Sequence, residues 1–389
     1  MAIADKPEPA EAHGGWTFLR RYWLPVLAIL ICNRLLLAWI GGVSVEAFAP
    51  HFYKPDGHVF SQNPFATPWG GWDTLFYLKI ATEGYVSPDG SMVQVGWFPL
   101  YSLAIKLAAV LVPHAYWAAL LVSNLCLLAA LGLLGVWLSE LIGSEAAFRS
   151  VLFLIFFPTS MVLSGAFSES IFLLLLVAAF YLAHRRRTAW ACAAFSLLLI
   201  SRPLALPLAP FFLVALHPLA GTGWRDRARR LAPLVLLPIP FLVYSWYLWR
   251  LTGDPLAYVH NKLAAGNDLA AVNPVAAVWS SLYRGVTEHR FEHCFNAGLV
   301  LFGTAAVIGN RRDLGWNYLL LGLVLIWFPL LLHVTILSSS RYLAVAVPVF
   351  SGLALAGERF RCTPGLYMIC LVLQGFVMVF WSTGSRFLM

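Results

Sequence analysis

Long apolar runs separated by short polar or basic stretches dominate the sequence. The first run covers residues 22–42, and ten more lie between residues 115 and 382. Those ten runs are residues 115–140, 148–163, 168–184, 188–201, 203–218, 230–252, 294–309, 314–336, 341–357 and 364–382. A full bilayer crossing needs roughly 20 residues, and several runs are shorter than that. The pattern predicts an all-α polytopic membrane protein with about eleven transmembrane helices, several of them short or broken.

Three further stretches interrupt this pattern. Residues 43–97 and 253–293 are polar enough to form two large outer loops. Residues 98–112 are apolar but short, and they contain Lys106. We expect this run to be an interfacial or re-entrant helix. We also expect helix breaks at Pro158, Pro203 and Pro207, and broken helices are tolerated only beside a protein- or water-filled cavity.

The composition excludes most soluble classes of protein. Of 389 residues, 60% are hydrophobic and only 11% are charged, whereas soluble domains carry about 25% charged residues. The mean hydropathy is +0.76. A cytosolic enzyme, a secreted disulfide scaffold and a disordered chain are therefore excluded. The six cysteines contain no CxxC pair, so no disulfide or metal framework is expected. We predict one integral-membrane domain over residues 22–389.

Basic clusters set the expected orientation. The net charge of +8 is concentrated in short stretches between apolar runs, so we expect no nucleic-acid partner. The positive-inside rule places Arg20-Arg21 and the other clusters in the cytoplasm. Those clusters are residues 184–187, 225–230, 311–312 and 359–361. Residues 1–21 then form a cytoplasmic tail. Residues 22–42 are too long for the apolar region of a signal peptide and are predicted to be a retained transmembrane helix.

The first outer loop carries the clearest candidate for chemistry. The apolar spacing after Trp72-Asp73 predicts a short amphipathic helix on the outer membrane surface, ended by Gly84. Asp73 stands at its start. One interpretation is a helix-capping aspartate. The other is a general base at the membrane–water boundary, which takes a proton from an acceptor hydroxyl.

Ionisable residues also occur at or within the predicted spans, where they are costly and usually face a cavity or each other. They are Arg34, Glu169, Arg202, His333 and Arg341. Each one alone could form a structural ion pair or extend to the membrane surface. Together, three arginines near two carboxylates predict a site for an anionic lipid head group, because guanidinium groups bind phosphate bidentately.

Two other motifs are weaker. His289 and His293 have the i, i+4 spacing of a zinc pair on a helix, but no third ligand is evident, so we favour exposed loop histidines. No glycine-rich phosphate-binding loop is present, which disfavours ATP-driven transport.

Several short motifs follow one another along the chain. They are Trp72-Asp73 with Tyr77, Gly84 and Tyr85; Trp97-Phe98-Pro99-Leu100-Tyr101; Phe157-Pro158 leading to Ser168-Glu169-Ser170; Ser201-Arg202-Pro203; and Arg341-Tyr342. In this order, the motifs resemble those of the PIG-V type of GPI mannosyltransferase and its bacterial relatives. The chain departs from the family at Gly71, where relatives usually have arginine, and after Arg202. These departures leave the sugar and the acceptor open.

The resemblance implies a GT-C fold, with an active site in the first outer loop and a polyprenyl-phosphate sugar as donor, most simply a mannose donor. It implies that Asp73 is the general base of an inverting transfer. Arg341, Arg202 and Arg34 would bind the donor phosphate. Substrate contacts would come from Trp72, Tyr77, Tyr85, Tyr101, Ser168 and Glu169. The acceptor would be a glycolipid or glycan within membrane lipid, and the scheme needs no metal or other cofactor.

The sequence is also compatible with two other functions. One is a secondary transporter or flippase for an anionic lipid or solute, which also needs buried arginines and broken helices. Its coupling carboxylates belong at mid-membrane, whereas Asp73 is predicted in an outer loop. A non-catalytic scaffold could keep the fold without the chemistry. The expected location is a bacterial plasma membrane, with the site facing the periplasm or exterior.

Overall fold

The computed structural model describes residues 14–48, 60–86, 95–216, 232–264, 273–331, 336 and 338–384. All regular elements in these ranges are helical, as the sequence predicts. The α-helices are α1 (Gly14–Phe48), α2 (Thr74–Glu83), α3 (Pro99–Ala108), α4 (Ala115–Ile142), α5 (Ser144–Phe156), α6 (Glu169–His184), α7 (Thr188–Leu199), α8 (Ala209–Ala215), α9 (Ile239–Thr252), α10 (Ala257–Ala264), α11 (Pro274–Thr287), α12 (Phe291–Gly309), α13 (Arg311–Leu314), α14 (Trp316–Leu331), α15 (Ser339–Leu343), α16 (Val347–Arg359) and α17 (Thr363–Ser382).

Long apolar helices make the chain an integral membrane protein. Among the described residues, 5 helices are long and apolar enough to cross a bilayer. They are Gly15–Phe48, Ala115–Ile142, Ala232–Thr252, Phe291–Gly309 and Thr363–Ser382. Four shorter apolar helices accompany them, namely Glu169–His184, Thr188–Leu199, Pro203–Ala215 and Trp316–Leu331. The count of about eleven crossings stays a prediction.

The first helix is longer than its apolar run. It begins at Gly14 rather than Tyr22 and continues to Phe48, past the predicted end at Gly42. At 1.5 Å per residue it is about 50 Å long, well beyond the roughly 30 Å of a hydrocarbon core. The prediction is too short because hydropathy identifies only the apolar part of a helix. The polar and aromatic residues at both ends of α1 are also helical.

Proline breaks the apolar run of residues 148–163 where expected. Helix α5 ends at Phe156, and Phe157 before Pro158 is extended, with φ −55° and ψ 137°. A residue preceding proline avoids the helical region for steric reasons. The chain continues as a 3₁₀ turn over Ser160–Leu163 and becomes α-helical again at Glu169. This buried connection, residues 157–168, lies in the protein core and supports the candidate site.

The second proline break lies between α7 and α8. Arg202 is fully extended, with φ −158° and ψ 150°, and Pro203–Leu208 form a 3₁₀ helix. Both breaks interrupt apolar helices with non-α-helical backbone. In a membrane protein such backbone is tolerated only where protein or water satisfies its polar groups. Ser201 and the residues of the first connection are buried among packed helices.

Helices α2 and α3 pack onto α4. Helix α3 has 10 residues, about 15 Å, and is too short to cross a bilayer. Its Tyr101 and Ile105 pack with Tyr77 of α2 and with Tyr116 of α4 in one buried cluster. This packing fixes α2, and with it the residues at its start, against the membrane helices.

Candidate functional site

Three hydrogen bonds anchor the chain just before Asp73. The backbone carbonyl of Trp69 accepts from the Ala166 amide at 2.8 Å. The Trp381 indole donates to the Pro68 carbonyl at 2.7 Å, and the Tyr116 hydroxyl donates to the Ala66 carbonyl at 2.7 Å. These bonds join residues 66–69 to three separate parts of the membrane domain, so the start of α2 is held in place.

A tight turn then presents Asp73. Trp72 has φ +48°, a left-handed conformation that costs a side-chain-bearing residue of order 1 kcal/mol and often marks functional sites. The buried Thr74 hydroxyl donates to the Ala166 carbonyl at 3.1 Å and accepts from the Gly71 amide at 3.1 Å. Asp73 occupies the N-cap position, but its side chain makes no capping bond. The capping interpretation of Asp73 is therefore wrong, and its carboxylate points elsewhere.

The Asp73 carboxylate lies in an ion-pair cluster that joins four of the predicted residues. Arg341 Nη2 is 3.0 Å from Asp73 Oδ2 and 2.8 Å from Glu169 Oε1. Arg341 Nε donates to the same Glu169 oxygen at 3.2 Å. Arg202 Nη1 lies 2.6 Å from it as well. Two guanidinium groups and two carboxylates thus balance in charge, although their positions span most of the sequence.

The cluster runs from the protein surface to its interior. The Asp73 side chain is 32% exposed, that of Arg341 8% and that of Glu169 1%. Burying charges is expensive unless they are paired, and here each buried charge has an opposite partner. Asp73 is the most exposed member of the cluster.

Two aromatic rings support the arginines. The Arg341 guanidinium carbon lies 5.0 Å from the ring centroid of Phe167, and that of Arg202 lies 5.1 Å from the Tyr342 ring. Such cation–π contacts hold a guanidinium in one plane. Neither ring is among the site residues that the sequence predicts. Phe167 precedes Ser168 and Tyr342 follows Arg341 in the motifs quoted above, and this adjacency is the sequence feature that could have identified them as site residues.

Two buried polar atoms beside Arg341 have no hydrogen-bond partner among the described residues. They are Glu169 Oε2 and Ser340 Oγ. Both residues are 1% exposed or less. A buried polar atom without a partner costs of order 1–3 kcal/mol. Hydroxyl groups of a bound ligand, or water, are the chemistry that would satisfy them.

Tyr77 and Ser168 lie at the edge of the cluster. The Tyr77 hydroxyl is 2.8 Å from Ser168 Oγ, next to Glu169 in the chain, and both residues are buried. Burial raises the pKa of Tyr77 above its usual value, since the phenolate would lose its hydration. Tyr77 is therefore a neutral hydrogen-bonding group.

The other two predicted tyrosines bond elsewhere within the protein. Tyr101 is fully buried, with its hydroxyl on the Ala119 carbonyl at 3.1 Å and 2.7 Å from Ser123 Oγ. Tyr85 donates to the Trp97 carbonyl at 2.6 Å and packs in a separate aromatic cluster with Tyr244. The structure does not bring either hydroxyl into the ion-pair cluster.

Arg34 also stands apart from the carboxylates. Its Nε donates to Ser164 Oγ at 2.8 Å, its Nη1 to Asn33 Oδ1 at 2.7 Å and its Nη2 to the Ser160 carbonyl at 3.1 Å. These acceptors are neutral, and two of them belong to the buried connection between α5 and α6. Arg34 therefore ties α1 to that connection.

The histidine interpretation needs correction. His293 is 3% exposed, with Nδ1 3.4 Å from Ser281 Oγ, and is not an exposed loop histidine. His289 is exposed and precedes α12, so the two residues do not share one helix. Within the described ranges, no three side chains of His, Cys, Asp or Glu are grouped so that they could hold a metal ion. His333 lies outside the described residues.

Comparisons with known proteins show the fold. No family model matches the chain, and no curated protein matches its sequence. Its structure is similar to a crystal structure of the Archaeoglobus fulgidus oligosaccharyltransferase tethered to an acceptor peptide. The TM-score is 0.51 at 14% identity over 95% of this chain and 56% of that one. A crystal structure of the same protein with Zn and sulfate gives a TM-score of 0.46 at 15% identity, covering 91% and 53% of the two chains.

The chain thus spans about half the length of that oligosaccharyltransferase. The match extends over nearly all of the present chain, and the sequence alone does not reveal it because identity is so low. The protein has the all-helical membrane fold of a GT-C oligosaccharyltransferase.

Proposed function

We propose that this protein is a glycosyltransferase that moves a sugar from a polyprenyl-phosphate donor to a hydroxyl of a lipid-linked or glycan acceptor. The observation that carries this proposal is the cluster of Asp73, Glu169, Arg202 and Arg341 at the base of the first outer loop. It combines a part-exposed carboxylate with two guanidinium groups. A base for the acceptor and cations for a leaving phosphate are what such a transfer needs.

Asp73 acts as the general base in this proposal. It takes the proton of the acceptor hydroxyl while that oxygen attacks the anomeric carbon from the face opposite the phosphate. Displacement in line inverts the configuration at the anomeric carbon. Trp72 and the bonds of Thr74 hold the carboxylate in place, and orientation of this kind contributes strongly to rate.

Arg341 and Arg202 stabilise the negative charge that develops on the phosphate. Their guanidinium groups are fixed by Glu169 and by aromatic rings, so little reorganisation accompanies the reaction. The free oxygen of Glu169, Oε2, accepts a hydrogen bond from a hydroxyl of the transferred sugar. Arg34 contacts neutral acceptors only, and we assign it to holding residues 160–164 rather than to the donor phosphate.

Mannose is the proposed sugar, because the motifs around Asp73, Glu169 and Arg341 resemble those of PIG-V-type mannosyltransferases. The structurally similar archaeal protein is an oligosaccharyltransferase, which supports a glycan-transferring activity on this fold. By the positive-inside rule, the site faces the periplasm or exterior of a bacterial plasma membrane. Membrane lipids surround both substrates there.

Sugar transfer by the purified protein in lipid nanodiscs tests the reaction class. The donors are radiolabelled polyprenyl-phosphate mannose and, as a control, GDP-mannose, with a bacterial lipid extract as acceptor. We expect label in a new glycolipid from the lipid donor alone. A parallel experiment uses the protein in sealed vesicles, where label that moves between the leaflets without a new product would instead indicate a flippase. Transfer from the nucleotide sugar would contradict the proposed donor class.

A further inference from the structure

Arg341 donates hydrogen bonds to both carboxylates of the site, but it makes more bonds to Glu169 than to Asp73. Its Nε and Nη2 both donate to Glu169 Oε1, at 3.2 and 2.8 Å. Its only contact with Asp73 is from Nη2, at 3.0 Å. Glu169 is also bound by Arg202 at 2.6 Å. Arg341 is therefore linked to Asp73 by a single hydrogen bond, and this bond lies nearest to solvent in the cluster.

A phosphate entering from outside competes with Asp73 for the same guanidinium edge. Asp73 is 32% exposed, whereas Glu169 is 1% exposed and doubly held. A phosphate offers several charged oxygens and binds a guanidinium bidentately, which a singly bonded carboxylate does not match. Two anions beside one Nη2 also repel each other. The anion that leaves Arg341 is then Asp73, while Glu169 keeps the arginine in place.

We propose that Arg341 holds Asp73 inactive in the empty site and passes to the donor phosphate when the donor binds, which frees Asp73 to act as base. This inference rests on the proposed function and adds a binding order to it: donor first, then acceptor. While Asp73 Oδ2 accepts a hydrogen bond from Arg341 Nη2 at 3.0 Å, that oxygen is not available to the hydroxyl of an acceptor. Deprotonation of the acceptor is thereby confined to sites that hold a donor.

The charges in the reaction agree with this shift. The acceptor oxygen bonds to the anomeric carbon, the bond from that carbon to the phosphate oxygen breaks, and its electron pair stays on the phosphate. The acceptor proton passes to Asp73. One unit of negative charge thus moves from Asp73 to the phosphate. Arg341 ends beside the group that has gained the charge.

Binding of farnesyl phosphate, a short polyprenyl phosphate, tests the proposal on the purified full chain in nanodiscs. We expect Asp73→Asn to bind it about fivefold more tightly than the wild type, because an exposed competing ion pair is lost. Glu83→Gln is the matched control: Glu83 is exposed on the same helix, outside the cluster, and its loss should leave affinity unchanged. Farnesol, which lacks the phosphate, should show no gain in any variant.

A second pair of variants distinguishes competition for Arg341 from direct repulsion between the Asp73 carboxylate and the phosphate. In Arg341→Lys, where a single ammonium replaces the shared guanidinium, adding Asp73→Asn should change affinity less than twofold. Asp73→Ser serves as an independent variant, and melting curves verify that each protein is folded. Equal or weaker binding by Asp73→Asn, or a gain that persists in Arg341→Lys, would overturn the proposal. Wild-type protein that binds farnesyl phosphate no better than farnesol would overturn the proposed function as well.

Discussion

Asp73 and Arg341 are 268 positions apart in the sequence, and Arg341 Nη2 lies 3.0 Å from Asp73 Oδ2. This contact joins the start of α2 to the short helix α15 near the other end of the chain. A second bond from the same part of the chain supports it, since the Thr159 hydroxyl donates to the Ser340 carbonyl at 2.7 Å. The site is thus assembled from four distant segments, and its integrity depends on a few buried groups.

Glu169→Gln should destabilise the protein strongly. Glu169 is 1% exposed and is the anion that both arginines contact. Removing its charge leaves two buried cations with only the part-exposed Asp73, which costs about 3 kcal/mol. Thermal unfolding in detergent measures this loss. The control is Glu145→Gln, whose side chain is 73% exposed in a surface pair and should cost no more than about 0.5 kcal/mol. Equal effects of the two changes would contradict the structural role of Glu169.

Arg341→Lys should keep the fold and lose most of the transfer activity. An ammonium group cannot reproduce the bonds from Nε and Nη2 or the contact with the Phe167 ring. Loss of a donor that stabilises developing charge typically lowers kcat by about 10² to 10³. Initial rates with saturating donor measure the effect. Arg359→Lys, in an exposed pair with Asp313, should leave the rate unchanged.

Comparison of Tyr77→Phe with Tyr101→Phe should distinguish an effect on the site from an effect on the stability of the core. Each variant loses one buried hydroxyl and its hydrogen bonds, which costs about 1 kcal/mol of stability. Because Tyr77 bonds Ser168 next to Glu169, we expect a reduced transfer rate for Tyr77→Phe only. The measurement is kcat together with the melting temperature for both variants. A similar fall in rate for both would show that the hydroxyls act through stability alone.

Gly165→Ala should loosen the packing of residues 66–73 against the membrane helices. A Cβ at this position would lie 2.9 Å from the Trp69 carbonyl oxygen and 2.8 Å from the Phe167 ring. Relief of this overlap moves the backbone that anchors Asp73, at a cost of about 1–3 kcal/mol. The control is Gly298→Ala, where a Cβ meets nothing within 4 Å and helix propensity predicts a small gain. Melting temperatures of the two variants compare them directly.

Much of the helical architecture could be predicted from local pattern. The apolar runs gave α4 and α17 nearly to the residue, and Pro158 predicted the end of α5 at Phe156. The motif order marked Asp73, Glu169 and Arg341 as site candidates. Hydropathy did not predict the true length of α1, because helix ends in water are not apolar.

The pairing of the charged residues required the structure. Nothing local in the sequence states that Glu169 binds both Arg202 and Arg341, or that Arg34 faces Ser160 and Ser164 instead. These contacts depend on the relative rotation of distant helices, which apolar runs do not define. His293 was placed at the surface for the same reason, since the packing of α11 on α12 buries it.

The central claim is that Asp73 removes the acceptor proton, and one comparison of rates tests it most directly. Single-turnover transfer from polyprenyl-phosphate mannose is measured for the wild type, for Asp73→Asn and for Glu83→Gln, with the anomeric configuration of the product determined by NMR. We predict inverted product, a loss of at least about 10³-fold for Asp73→Asn and an unchanged rate for Glu83→Gln. Transfer by Asp73→Asn at a rate near that of the wild type would contradict the claim.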